Sequence, residues 1–303
     1  MYSNLLTNFC GLPVTDFNDV SDWQGVETAY RLRSEYNDQE SIADRLKKLL
    51  SIPESAQLKS LIIGAWSEAY ESGSNNTIDI LINAAPKLPN LRSIFMGDIT
   101  YEECEISWIN QADMSPLLSS FPQLEVFRVR GGTGLAFSKI KHAHLTELGV
   151  ETGGLSRSTI REIFQCDFPA LEHLELLLGE PNYGFDGGVE DLQPLLSGKL
   201  FPKLKFLGLM NSQIANDIAA VVVNSPIVER IEILDLSMGT IDDEGIKSLL
   251  GLAECTNLKQ LNVSHHYATP TTIEELKKAL PFPVIADEAQ DPNEEWRSVV
   301  HAE

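Results

Sequence analysis

The chain has only four cysteines, Cys10, Cys104, Cys166 and Cys255, scattered without a C-x-x-C pair or a disulfide-like spacing. That scarcity excludes a disulfide-stapled scaffold and a cysteine-rich zinc site, and predicts reduced, packed thiols in a cytoplasmic protein. Long apolar runs are missing too. Although 43% of residues are hydrophobic, no stretch approaches the roughly 18 apolar residues that a membrane span needs, so no membrane contact is expected. Met1 to Cys10 has neither a basic region nor a long apolar core, so no secretory leader is expected. Basic residues are the third shortage: 23 stand against 44 acidic ones, a net charge of −21. A field of that sign repels phosphate backbones, which argues against nucleic acid, and favours a partner of basic character.

What the chain has instead is one pattern, L-x-x-L-x-L, met eight times. The hits are Leu58/Leu61/Ile63, Leu91/Ile94/Met96, Leu124/Phe127/Val129, Leu145/Leu148/Val150, Leu171/Leu174/Leu176, Leu204/Leu207/Leu209, Ile231/Leu234/Leu236 and Leu258/Leu261/Val263. Their first positions lie 21 to 33 residues apart, the length at which each short strand of a leucine-rich repeat is followed by a helix. Between them sit apolar triplets at i, i+3, i+4 that share one helix face: Ile78/Leu81/Ile82, Met114/Leu117/Leu118, Ile160/Ile163/Phe164, Leu192/Leu195/Leu196, Ile218/Val221/Val222 and Ile246/Leu249/Leu250. Ile273/Leu276/Leu280 adds a seventh helix, with Thr271 and Glu274 as a capping box; Asn216 and Asp242 are expected N-caps.

One such repeat cannot bury both its strand face and its helix face, so the units must stack. The expected fold is an α/β leucine-rich-repeat solenoid, a horseshoe with a parallel concave sheet of about eight strands and helices on the convex side. Residues 1–55 are read as an N-terminal cap, with a half-buried strand from Val26 to Leu32, a hairpin partner from Leu12 to Phe17 and a helix through Ile42, Leu46, Leu49 and Leu50. Residues 56–283 hold the repeats. Residues 284–303 are read as a degenerate strand at Val284–Ile285 followed by a loose acidic tail.

The ninth position, where leucine-rich repeats carry an asparagine ladder, reads Trp66, Ile99, Gly132, Gly153, Gly179, Ser212, Gly239 and His266. The four glycines predict turns made with positive φ. This departs from ribonuclease inhibitors, the nearest fold-level relation. G-L-P-V-T-D-F at 11–17, I-I-G-A-W-S-E-A-Y at 62–70, G-D-I-T-Y-E-E-C-E-I-S-W-I at 97–109, R-V-R-G-G-T-G-L at 128–135 and L-L-S-G-K-L-F-P-K-L at 195–204 point elsewhere. Over residues 5–285 the chain resembles a family of bacterial cytoplasmic leucine-rich-repeat proteins of about 300 residues. The resemblance implies the fold and the compartment, and carries over no catalytic or binding residues.

No catalytic set is complete. Gly131 to Gly134 follows a strand but lacks the Lys-Ser/Thr of a phosphate loop. Ser138 to Lys141 matches S-x-x-K without its partner motifs. His142/His144 and His265/His266 lack a third metal ligand, and Asp186-Gly187-Gly188 has too few carboxylates for calcium. In Glu102-Glu103-Cys104-Glu105 the carboxylates raise the thiol pKa, which argues against a reactive thiolate; the run is read as a solvated loop or first helical turn, or else as a recognition loop. No cofactor or metal is expected.

The concave strands are the expected site. Positions three, five and seven of each pattern point away from the core. They place Phe95, Arg128, Arg130, Glu147, Glu151, His173 and Glu175 on a charged centre, with hollows at Gly64, Gly97, Gly149 and Gly208. Same-position residues on adjacent strands are lateral neighbours, so Arg130 is expected beside Glu151 and Glu147 beside His173. Arg128 has only Gly149 beside it, which makes it the charge most available to a ligand; the alternative is that Arg128 and Arg130 simply neutralise Glu147, Glu151 and Glu175 within the sheet. The function expected is a non-enzymatic scaffold binding a protein or peptide through this sheet and the adjacent loops, Glu102 and Glu103 included. The alternative is an enzyme or cofactor-binding accessory protein using the charged centre.

Overall fold

The computed structural model describes residues 2–34, 38–67 and 69–303. Met1, residues 35–37 and Glu68, parts of the expected cap and of the 62–70 segment, lie outside the described residues. The chain forms two compact units, residues 2–150 with 165–169, and residues 151–164 with 170–302. Both are α/β. Among the described residues no helix is long and apolar enough to cross a membrane.

In the first unit the strands follow chain order: β1 (Asn8–Phe9), β2 (Leu12–Asp16), β3 (Ala29–Leu32), β4 (Ser60–Ile63), β5 (Ser93–Met96), β6 (Val126–Arg130) and β7 (Glu147–Glu151). The helices α1 (Ile42–Leu49), α2 (Asn75–Ala84) and α3 (Ser115–Ser120) alternate with them. Pairing from β2 to β6 is parallel, in the register Ile62↔Phe95↔Arg128, so equal repeat positions do lie side by side. Leu61, Ile94, Phe127 and Leu148 are fully buried on the helix side.

The cap differs from its sequence reading. β2 pairs in parallel with β3, and its hairpin partner is β1, through Phe9↔Leu12. Cys10 and Gly11 both have positive φ, which a two-residue turn of matching twist demands. Nor is β3 half-buried: all four of its residues are buried, Arg31 among them. α1 begins with a capping box from Ser41 and Asp44 that the apolar stripe did not reveal.

The second unit repeats the plan with β8 (His173–Gly179), β9 (Phe206–Ser212), β10 (Ile233–Asp235), β11 (Gln260–Asn262) and β12 (Val284–Ile285), all in parallel and in chain order. Its helices are α4 (Arg157–Gln165), α5 (Val189–Leu196), α6 (Ala215–Val222), α7 (Asp243–Ser248) and α8 (Pro270–Ala279). Asp242 caps α7 as expected. Thr269, not Thr271, occupies the N-cap position of α8, without a side-chain capping bond and with Pro270 at the first helical position. Asn216 lies inside α6, where its amide bonds Asp242 at 2.8 Å. The eight leucine patterns fall on β4 to β11, and the expected apolar triplets fall on the helices or their caps, except that Leu249 and Leu250 lie in the 3-10 turn that follows α7.

The ninth-position glycines act differently from expectation. Of the four, only Gly179 has positive φ. A Cβ there would lie 1.8 Å from the Gly153 carbonyl oxygen, so glycines at both positions let two turns touch main chain to main chain. The left-handed residue falls one place earlier in four repeats, at Gly131, Asn211, Met238 and His265. Methionine is strained in that region by about 1 kcal/mol or more. Met238→Gly, which keeps the Met238 main-chain bonds to Ser264 and Val300, is therefore expected to raise stability by about 1 kcal/mol in a denaturant titration.

Residues 286–302 are not loose. His265 N–H donates to the Asp287 carbonyl at 2.9 Å, Gln290 N–H to His266 at 2.8 Å and Val300 N–H to Met238 at 3.0 Å. Arg297 pairs with Asp242. Low apolar periodicity misleads here because main-chain and side-chain hydrogen bonds, not an apolar stripe, hold the segment down.

Candidate functional site

Strands that bury positions one, four and six against helices leave positions three, five and seven on the opposite, open face. In the first unit the chain itself covers that face. Phe9 lies in a cluster with Ala29, Ile62 and Phe95, its ring 6.0 Å from that of Phe95, and Leu6, Leu12, Val14 and Val126 pack around it. Phe95, expected on an open surface, is fully buried.

Beside this cluster Asp98 holds the segment by its main chain. Leu6 N–H donates to the Asp98 carboxylate at 3.2 Å, while the Leu6 carbonyl accepts from Arg31 Nη1 at 2.9 Å. Arg31 also donates to Asp98 at 2.8 Å and to Asp16 at 2.6 Å. Arg130, the seventh residue of its repeat, turns into this cluster and is 2% exposed. Its guanidinium donates to the Ile99 carbonyl at 2.8 Å, lies 3.7 Å from Asp98 and sits 3.6 Å over the Tyr2 ring. Burial pushes the Asp98 carboxyl above its ordinary pKa, against the pull of Arg130, Arg31 and the Leu6 N–H. Asp98, Arg31 and Tyr2 were missed because they lie outside the face positions.

Arg128 is not free for a ligand; it is paired within the sheet, the alternative reading of the charged centre. It donates to Glu147 Oε1 at 2.9 Å, diagonally across one strand spacing, because Gly149 leaves room for its guanidinium to lie over the sheet. The four expected hollows are filled. A Cβ would meet Arg33 and Asp98 at Gly64, the Arg130 carbonyl at Gly97, Arg128 at Gly149, and Met210 and Phe206 at Gly208.

The acidic loop is partly committed to structure. Glu103 accepts from the Thr100 N–H and hydroxyl, both at 2.9 Å, and pairs with Arg33 at 2.8 Å; Glu102 is exposed. Burial, with Glu105 and Glu103 adding to it, pushes the Cys104 thiol up to about 11. At pH 8 its alkylation is expected to be about a hundredfold slower in the folded than in the unfolded chain. Mass-spectrometric labelling rates check this, and equal rates would remove the burial argument. His142 is taken up by the Phe121 carbonyl and the Leu145 N–H, and His266 by the Ala268 N–H.

In the second unit the open face keeps partly exposed groups. His173 stacks on Phe206 with ring centroids 3.9 Å apart and an interplanar angle of 7°, and its Nε2 lies 2.9 Å from Glu175 Oε1. The register Glu175↔Gly208↔Asp235↔Asn262 runs across four strands. Asp235 accepts from Asn262 at 2.9 Å and from the Ser237 N–H at 2.9 Å; burial, with the Glu175 charge adding to it, holds its carboxyl above the ordinary pKa. Met210 and Ile233 flank this row, half-buried, and Glu151 is buried at 4% exposure. The site is thus an aromatic and apolar platform with carboxylates along it.

Off the open face, Asp191 of α5 is fully buried between Arg161, at 2.7 Å, and Arg157, at 3.1 Å, and accepts from the Gly188 N–H. Burial opposes ionisation there, but the Gly188 N–H and the two guanidinium groups hold its pKa below the ordinary value. A depressed carboxylate contributes stability above its unfolded pKa of about 3.9 and loses it as pH falls through the folded value. Asp191→Asn is therefore expected to destabilise at pH 7, with the deficit shrinking below about pH 4. Paired urea titrations at the two pH values check the sign.

A Bacteroides fragilis protein, solved by crystallography as a structural-genomics target, is similar over 90% of this chain and 76% of its own, with 30% identity and a TM-score of 0.81. The chain belongs to the family of this protein. An internalin from Listeria monocytogenes aligns over 88% of this chain and 69% of its own at 15% identity, with a TM-score of 0.41, too low to bear on the fold. No family model and no curated protein matches the chain.

Proposed function

We propose that the protein is a non-enzymatic interaction scaffold that binds an extended protein or peptide segment on the open face of β8 to β11. The carrying observation is intramolecular. In the first unit the same kind of face holds the chain's own residues 2–9, with Phe9 seated on Phe95 and Ile62 and the Leu6 main chain gripped by Asp98 and Arg31. In the second unit the corresponding residues, His173, Glu175, Phe206, Met210 and Ile233, keep part of their surface. Stacked rings and flanking apolar groups supply contact area, while Glu175 and Asp235 favour a segment with basic residues. We place this scaffold in a bacterial cytoplasm, with its leucine-rich repeats as the binding framework.

The test is a peptide selection against the native protein followed by Phe206→Glu. Selected peptides are expected to be basic and aromatic and to lose affinity about tenfold or more, equivalent to about 1.4 kcal/mol, with the melting temperature nearly unchanged. Peptides indifferent to Phe206→Glu would contradict the assignment.

A further inference from the structure

Residues 297–301, outside regular secondary structure and with a bend at Val300, run past the end of β9 and the segments that follow β10 and β11, and the main-chain bonds they make there are ones that a peptide of another protein could make. The main chain is read at three residues. Ser298 N–H donates to the Tyr267 hydroxyl at 3.1 Å, and that hydroxyl donates to the Ser298 carbonyl at 3.1 Å. Val300 N–H donates to the Met238 carbonyl at 3.0 Å. His301 N–H donates to Asn211 Oδ1 at 2.8 Å, while Asn211 Nδ2 donates to the His301 carbonyl at 2.6 Å, so one buried amide spans both main-chain groups of one residue.

Alternate side chains point into the protein. Val299 and His301 are each 5% exposed, and Arg297 pairs with Asp242 with its guanidinium 5.5 Å from the Tyr267 ring centre. Ser298 is exposed and Val300 half-buried. Main-chain bonds with pockets for every second side chain are the physics of extended-peptide recognition, in which the bonds supply affinity and the pockets supply specificity. Asn211 takes φ 53° to present its amide, the left-handed conformation asparagine tolerates best among side chains with a Cβ. Around Arg297 the groove continues into a cavity of about 590 Å³ lined by Asp242, Asp243 and Glu244 as well as Lys247.

We propose that the rim formed by Asn211, Met238, Asp242 and Tyr267 is a recognition site for an extended basic segment of pattern Arg-x-Val-x-His, and that residues 297–301 are its resident ligand in cis. A partner carrying that pattern competes with the resident segment. The acidic groove favours the arginine, the Val299 pocket a small apolar side chain and the His301 pocket a ring. The inference rests on the reading of the chain as an interaction scaffold but concerns a different surface. Peptides selected through Phe206 and the rim ligand are separate probes, so either site can fail alone.

The probe is a fluorescent peptide of residues 295–302, EWRSVVHA. It is titrated into the full chain and into a full chain carrying Arg297→Ser, Val299→Ser and His301→Ser. The substituted chain, with its segment released as read by hydrogen exchange at residues 300 and 301, is expected to bind the probe about tenfold or more tighter than the native chain, because the tethered segment competes at a millimolar effective concentration. Adding Asn211→Gly, which keeps the left-handed backbone and removes the amide, should weaken binding about tenfold or more, as should Arg→Glu in the probe. On the native chain, millimolar probe should speed exchange at Val300 and His301, a measurement that needs no variant to fold.

A released segment without probe binding, or binding indifferent to Asn211→Gly, overturns the proposal. So does a segment that stays protected after losing all three side chains, since the pockets would then read nothing. Native exchange unchanged by millimolar probe also counts against it.

Discussion

Asp98→Ala is expected to cost the first unit about 3–5 kcal/mol, because it leaves Arg31 and Arg130 buried without their shared counter-charge. Asp98 is fully buried, and the two arginines are 6% and 2% exposed. The loss also removes the acceptor of the Leu6 N–H, so residues 2–14 should exchange amide hydrogens faster than β4 and β5 in the same sample. Asp98→Asn separates the two contributions: the amide can still accept from Leu6 but carries no charge. An Asp98→Ala protein that melts like the wild type would mean that the arginines reach water, and the covered face would not be the tight assembly described.

Leu174→Ala should be nearly as damaging in the second unit. Leu174 is the fourth residue of its pattern, central in β8, fully buried, and in register with Leu207. Truncation removes transfer energy and leaves a cavity, together about 2–5 kcal/mol. A thermal melt decides it. An unchanged midpoint would show that the side chain faces the other side of the sheet, which would overturn the strand phase and every open-face assignment with it.

The strand phase was legible because period-two alternation and the spacing between leucines report burial directly. Leu61, Ile94, Phe127, Leu174, Leu207, Leu234 and Leu261 occupy the inward places their pattern demands. What alternation could not report is which outward residues the rest of the chain covers. Phe95 and Arg128 are adjacent in register at the same repeat position, yet Phe9 seals the first while the second pairs with Glu147. The seal on Phe95 comes from a residue 86 positions earlier in the chain, while Arg128 meets its partner 19 positions on, in the next repeat.

Arg130 shows the same limit. A charged residue at the seventh position reads as surface, and its burial is licensed by Asp98, the Ile99 carbonyl and the Tyr2 ring among others. Polar clamps are harder still to read. Asn211 and Tyr267 carry no apolar period, and their role follows from main-chain groups at positions 298 and 301, which every residue possesses. The acidic 286–295 stretch lacks an apolar stripe, and the bonds that tie it down leave no mark in hydropathy.

The most direct test of the scaffold assignment is a hydrogen-exchange footprint of a selected peptide on the native protein. Protection concentrated on His173–Leu177, Phe206–Met210 and Ile233–Asp235, with no change on α4 to α8, is the result the account predicts. Protection on the helices with the open face unaffected would contradict it.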